Sequence, residues 1–326
     1  QEGLLMTRRN LMLLAVAVAV LGAAPFIGGN YVLRIGTITL MYAVVAISWN
    51  FIGGLAGYPS FATAAFFGLG AYAGAIARTA GVPETLAWLL AMLAAGAFSL
   101  ALGFVILRLR GHAFAIASLV VIEVLREIVT SWDSVTGGGA GISVPFAAAT
   151  PEAIATYYYW SMCGLAALAF AVLYHVARSP LGFGLRCIRQ NEDAANMVGI
   201  NTTLFKTAAF VLSGVFAAGA GAIYASWTSY IDPADAFDIV ISIKAIVMVL
   251  LGGAGTVLGP VLGAAAFMAL DEFAWSNFLE VHTGILGVLV VLLVLFLPTG
   301  ISSFSLPDVL RRMRHKHGSP AGASGR

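Results

Sequence analysis

Few side chains in this sequence could do chemistry, and most of them stand inside long apolar runs. Glu123, Arg126 and Glu127 fall within about one helical turn of one another, and Lys244 sits alone in "ISIKAIVMV". A charge in hydrocarbon is costly unless it is paired or hydrated, so each such residue is either neutralised locally or lines a polar path. Both readings stand for the Glu123 cluster, while Lys244 has Asp271 or Glu272 as candidate partners. Arg34 and Arg78 read as cations that extend to an interface. The histidines His112, His175, His282, His315 and His317 are scattered, and Cys163 and Cys187 lack metal-ligand spacing. Because no nucleophile–base pair or metal grouping stands out, the chain reads as a non-enzyme with no catalytic residue, cofactor or metal of its own. It also lacks a G-x-x-x-x-G-K-[ST] phosphate loop.

Backbone groups offer a second kind of chemistry. "TGGGAG", Thr136 to Gly141, either presents amide N–H groups to an anion such as a carboxylate or forms a flexible loop. Two glycine-rich segments, "GGLAGYPSFATAAFFGLGA" from Gly53 and "GGAGTVLGPVLGAAAFMAL" from Gly252, resemble each other and hint at an internal repeat. Their small residues suit close helix packing or the wall of a pathway. The candidate pathway residues are therefore Tyr58, Ser60, Thr136, Gly137, Gly138, Gly141, Glu123 and Lys244.

The elements that must hold these residues are membrane helices. The chain is 60% hydrophobic and 10% charged, against about 25% charged for soluble domains. Several apolar runs approach the roughly 20 residues that a helix needs to cross a bilayer. They are apolar on all faces, which argues against a transmembrane barrel. The pattern predicts an all-α polytopic protein with ten helices at 11–28, 31–52, 58–78, 84–107, 112–131, 157–177, 207–228, 239–251, 257–275 and 284–300. The first run follows Arg8-Arg9 and reads as a retained helix rather than a cleaved signal; Met6 reads as a start, with residues 1–5 upstream of it. Residues 1–10, 179–206 and a basic, disordered tail at 301–326 then share one side. That side collects 13 of the 17 Lys and Arg residues (Arg8, Arg9, Arg108, Arg110, Arg178, Arg186, Arg189, Lys206, Arg311, Arg312, Arg314, Lys316 and Arg326). Positive charge marks the cytoplasmic side, so both termini are expected there, with 132–156 outside as a periplasmic segment.

The most polar internal segment is "SPLGFGLRCIRQNEDAANMVGIN", Ser179 to Asn201. Ser179 suits an N-cap followed by Pro180 at the first helical position. Leu181, Leu185, Ile188 and Ala195 fall near one stripe, and Arg189 can pair with Glu192 or Asp193 at i+3 or i+4. Gly199 can close the helix in a left-handed conformation. From spacing alone this is either a membrane-surface helix or a docking helix for another protein. "EDAANMVGI" resembles the E-A-A-x-x-x-G coupling loop of bacterial ABC-transporter permeases. With "GLAGYPSFATAAFFGLGAYAGA", "RLRGHAFAIASL", "TGGGAGI" and "GGAGTVLGPVLGA", the chain from about residue 35 to 300 is similar to the LivM-type permeases of the high-affinity branched-chain amino-acid importers. One departure is His112, where that family leads us to expect an acidic or polar residue before an aromatic.

The resemblance implies a bacterial inner-membrane permease subunit, a heterodimer with a second permease, surrounded by lipid and without nucleic acid. Two cytoplasmic ATP-binding subunits would supply ATP and Mg chemistry, and a periplasmic binding protein would deliver substrate. It assigns Glu192, Ala194, Ala195 and Gly199 to docking of the ATP-binding subunits; Arg186 and Arg189 join them from their place on the same helix. Branched-chain amino acids are the implied substrate, with urea, short amides or aromatic acids as alternatives on similar permeases. A reading from a different class is an ion-coupled secondary transporter with broken helices, which leaves the polar loop without a task.

Overall fold

The computed structural model describes residues 29–145, 150–277 and 287. The predicted helix 11–28, all of 284–300 but residue 287, and the segments 1–10 and 301–326 lie outside them. The described chain is mainly helical: α1 (Asn30–Trp49), prolonged by a π-helical turn Asn50–Leu55, α2 (Ala62–Thr79), α3 (Glu84–Ile106), α4 (Gly111–Ser131), α5 (Asp133–Thr136), α6 (Pro151–Arg178), α7 (Pro180–Gln190), α8 (Glu192–Met197), α9 (Thr202–Thr228), α10 (Pro233–Ala236), α11 (Ile239–Gly252) and α12 (Gly259–Asn277). Two short strands, β1 (Ile142–Ser143) and β2 (Tyr230–Ile231), pair antiparallel, with Ile142 opposite Ile231.

Helices occupy the eight predicted segments that fall within the described residues, with shifted ends. The segment expected from 58 begins at Ala62, because Gly57 turns the chain at φ 76. Those expected from 157 and 207 begin at Pro151 and Thr202, where Thr150 and Asn201 accept hydrogen bonds from Ala153 and Leu204 N–H. Among the described helices, α1 with its π turn, α3, α6 and α9 are long and apolar enough to cross a membrane. Hydroxyls along α1 bond back onto their own helix, as Thr37 does to Leu33 O and Ser48 to Val44 O, both at 2.8 Å. That leaves few polar groups for the bilayer to solvate.

The bundle is built around α1 and α9, which are largely buried, whereas α3 turns Leu86, Leu89, Leu93, Phe104 and Val105 outward. Close packing joins α2 to α9. Gly70 lies against the Ala218 backbone and Gly221 against the Phe67 carbonyl, so a Cβ at either glycine would overlap main chain. Edge-on rings cross the same region, linking Tyr58 to Phe114, Phe114 to Phe210 and Phe210 to Phe66. The two glycine-rich segments that resemble each other in sequence meet at one end of the bundle. Buried Asn50 accepts from Gly255 N–H at 2.9 Å and donates to Thr256 O at 3.0 Å, stitching one turn to the other.

Candidate functional site

The end of the bundle that carries the paired glycine turns also carries the polar loop. Ser179 Oγ accepts from Gly182 N–H at 3.5 Å and Pro180 opens α7, as the sequence predicts. The single helix expected there is instead two. Asn191 adopts an extended conformation, and its Oδ1 accepts from Ala194 N–H at 3.0 Å, starting α8 afresh. At the far end Gly199 has φ +88; its N–H bonds Asn196 O and that of Ile200 bonds Ala195 O, both at 3.0 Å. This pair of bonds is the Schellman closure that uses a left-handed glycine.

The break at Asn191 redirects the charges. The local pairing expected between Arg189 and Glu192 or Asp193 does not form. Arg189 Nη1 instead donates to Gly54 O at 2.7 Å and Ala254 O at 3.4 Å, so one guanidinium holds both glycine turns. Arg186 donates to Ala177 O at 2.9 Å, capping the C-terminus of α6. Leu185, Ile188 and Ala195 are buried against the bundle, as their stripe predicts. Of the six residues assigned to docking, Arg189, Ala194 and Gly199 present open surface; the Glu192 side chain and Ala195 turn inward, Arg186 is half-buried, and both guanidinium groups bond main-chain carbonyls. The outward tip is apolar: Met197 is 87% exposed and Val198 76%.

Glu192 belongs to a buried cluster. Lys206 Nζ lies 2.7 Å from Glu192 Oε1, 3.0 Å from Tyr58 Oη and 3.0 Å from Leu107 O, and sits 4.8 Å from the centre of the Tyr58 ring. Tyr58 Oη donates to Glu192 Oε2, and Arg110 bridges to Glu192 at 3.5 Å and Asp193 at 2.9 Å. Burial opposes ionisation of Glu192, but the hydrogen bonds from Lys206 and Tyr58 and the Lys206 and Arg110 charges outweigh it. Its carboxyl is held below the ordinary carboxylate range.

The opposite end is closed by the β1–β2 pair. Gly137, Gly138 and Gly141 all have positive φ, but their N–H groups bond Asp133 O, Thr136 Oγ1 and Gly138 O. These three amides are therefore used within an ordered turn rather than offered to an anion. Thr136 is buried, its hydroxyl directed at Val129 O and Trp132 O. Beside this turn lies an open groove of about 440 Å³ lined by Arg126, Thr130, Gly139, Tyr230, Asp232, Pro233 and Ala234. Arg126 pairs with Glu123 at 2.6 Å on an exposed face of α4. Lys244 meets Asp271 at 3.8 Å, one of its two predicted partners.

The predicted pathway residues thus separate. Thr136, Gly137, Gly138, Gly141 and Glu123 gather near the groove, and Lys244 lies between helices. Tyr58 and Ser60 belong to the other end, where Ser60 Oγ accepts from Ala62 N–H and its carbonyl accepts from Trp49 Nε1 at 2.7 Å. Lys206, Arg110 and Asn50 were missed by sequence reasoning as functional candidates. The one available signal was Lys206 as a lone cation in the first turns of an otherwise apolar helix.

Long apolar helices knitted through glycine, with a pair of polar helices anchored on one end and a charged groove at the other, make a multi-pass membrane protein. The chain belongs to the family described as the branched-chain amino acid transport system permease component, whose model matches residues 31–297. It is 27% identical to the high-affinity branched-chain amino acid transport system permease protein LivM of Salmonella typhimurium, over 96% of this chain and 80% of that protein. Identity to LivM of Escherichia coli K12 is 28%, over 95% and 78%. The permease protein LivH of Salmonella typhimurium is 24% identical over 81% of this chain and 92% of its own. No solved structure matches this chain significantly.

Proposed function

We propose that this chain is one of two permease subunits of an ATP-driven importer in a bacterial inner membrane, carrying branched-chain or related hydrophobic amino acids. In this reading α7 and α8 face the cytoplasm and receive an ATP-binding subunit, and the β1–β2 end faces a periplasmic binding protein. Mg-ATP is bound and hydrolysed by the partner subunits. The observation that carries the reading is the shape of the polar loop. Its inner side is fastened to the bundle through Arg189, Leu185, Ile188 and Ala195, while Met197, Val198 and Ala194 stand free at its tip. An apolar tip on a rigid mount suits a groove in a soluble partner that must push rather than merely bind.

The outward face of α4 supports a second permease as neighbour. It interleaves Ile116, Val120, Val124 and Ile128 with Glu123, Arg126 and Glu127, charges that lipid alone solvates poorly. Between two such faces they would line a polar path, and the groove with Arg126 on one wall and Asp232 on another suits a ligand that carries both signs of charge.

The test is reconstitution with a second permease, ATP-binding subunits and a binding protein in vesicles. Uptake of labelled leucine should require ATP and every subunit. Uptake that persists without an ATP-binding subunit and follows an ion gradient would overturn the reading.

A further inference from the structure

We propose that Lys206 is a positioning residue that carries displacement of α8 into the membrane helices. This rests on the reading of α7–α8 as the place where an ATP-binding subunit docks. Lys206 is 3% exposed, and its ammonium has three donors directed at three acceptors from three other parts of the chain. Glu192 belongs to α8, Tyr58 to the turn that opens α2, and Leu107 to the C-terminal end of α3, while Lys206 itself lies in the first turns of α9. One charge therefore ties the outer helix of the loop to the ends of three apolar helices.

The tie continues into the bundle. The Tyr58 ring meets Phe114 of α4 edge-on at 5.2 Å, Phe114 meets Phe210 of α9 at 6.3 Å, and Phe210 meets Phe66 of α2 at 5.1 Å. Close-packed rings yield by moving together rather than by compressing. A push on Met197 and Val198 that shifts Glu192 must either draw Lys206 and Tyr58 with it or break a buried ion pair. Other polar ties hold the loop as well: Arg110 reaches Glu192 and Asp193, Thr202 Oγ1 at the start of α9 donates to Asn196 Oδ1 at 3.0 Å, and Arg189 holds the glycine turns. Among them Lys206 alone joins α8 to α2, α3 and α9 through one charge.

The experiment uses the complete importer in proteoliposomes and compares wild type with Lys206→Met, Lys206→Arg and Tyr58→Phe. Retention of the ATP-binding subunits on purification and leucine transported per ATP hydrolysed are both measured. Lys206→Met should retain the ATP-binding subunits and their hydrolysis but transport about tenfold less leucine per ATP, the size of an ordinary coupling energy. Lys206→Arg should restore most of the ratio, because it keeps the charge. Unchanged transport per ATP in Lys206→Met overturns the proposal, and so does loss of docking in step with transport. If Lys206→Met does not fold, Tyr58→Phe decides: a lowered ratio upholds the role and an unchanged ratio overturns it. Failure of the docking reading itself shows elsewhere, as a wild-type chain that retains no ATP-binding subunit.

Discussion

Glu192 and Lys206 set the sharpest expectations at the level of single residues. Removing one partner of a buried ion pair leaves the other charged and unpaired, which costs about 3–5 kcal/mol. Glu192→Ala should therefore lower the thermal midpoint in detergent well beyond what an exposed Asp193→Ala does. Because the Glu192 carboxyl is held below its ordinary value, its contribution is complete at neutral pH and is lost as pH falls through that depressed value, below the usual carboxylate pKa of about 4.3. Protease sensitivity of 179–201 measured against pH should stay flat down to that range and then rise. Asp235 shows the opposite sign. Asp232 beside it, then burial and Asp238, raise its pKa, so ionisation costs stability as pH rises through the shifted value. Asp235→Asn should raise the thermal midpoint at neutral pH, and the gain should disappear in acid.

Among the elements, the α2–α9 contact and the α7–α8 break make separate predictions. Gly70→Leu places a side chain where the Ala218 backbone already lies, and the yield of monodisperse protein should collapse, whereas Gly164→Leu, with open space around it, should be tolerated. Asn191→Ala removes the cap of α8 and should cost about 1 kcal/mol, seen as faster hydrogen exchange confined to 192–198. The helices of the bundle were legible from apolar run length, and Ser179, Pro180 and Gly199 marked the ends of the loop correctly. Asn191 before Glu192 and Asp193 is itself a cap signal, but the longer periodic stripe through Ala195 masked it. What no local pattern encodes is where Arg189 goes: its acceptors lie 135 and 65 residues away and are backbone carbonyls, which any residue type supplies. The contact of Lys206 with Tyr58 spans 148 residues, so no local pattern encodes it either, although Tyr58 itself stood among the pathway candidates.

Across the whole molecule, the polar loop and the β1–β2 turn occupy opposite ends of the bundle, which makes sidedness measurable. With Cys163 and Cys187 replaced, single cysteines at Met197 and Asp235 should react with an impermeant maleimide from opposite faces of oriented vesicles. Reaction of both from one face would contradict the membrane crossing of α9, the long helix between them. The Arg189 contact also has a consequence for the order of synthesis. Gly54 is made early and the loop near the middle of the chain, but Ala254 comes some fifty residues after the loop ends. The mount of the polar loop is therefore incomplete until translation has passed the second glycine turn. A nascent chain stopped before residue 254 would display α7 and α8 with one of the two carbonyl acceptors of Arg189 still missing.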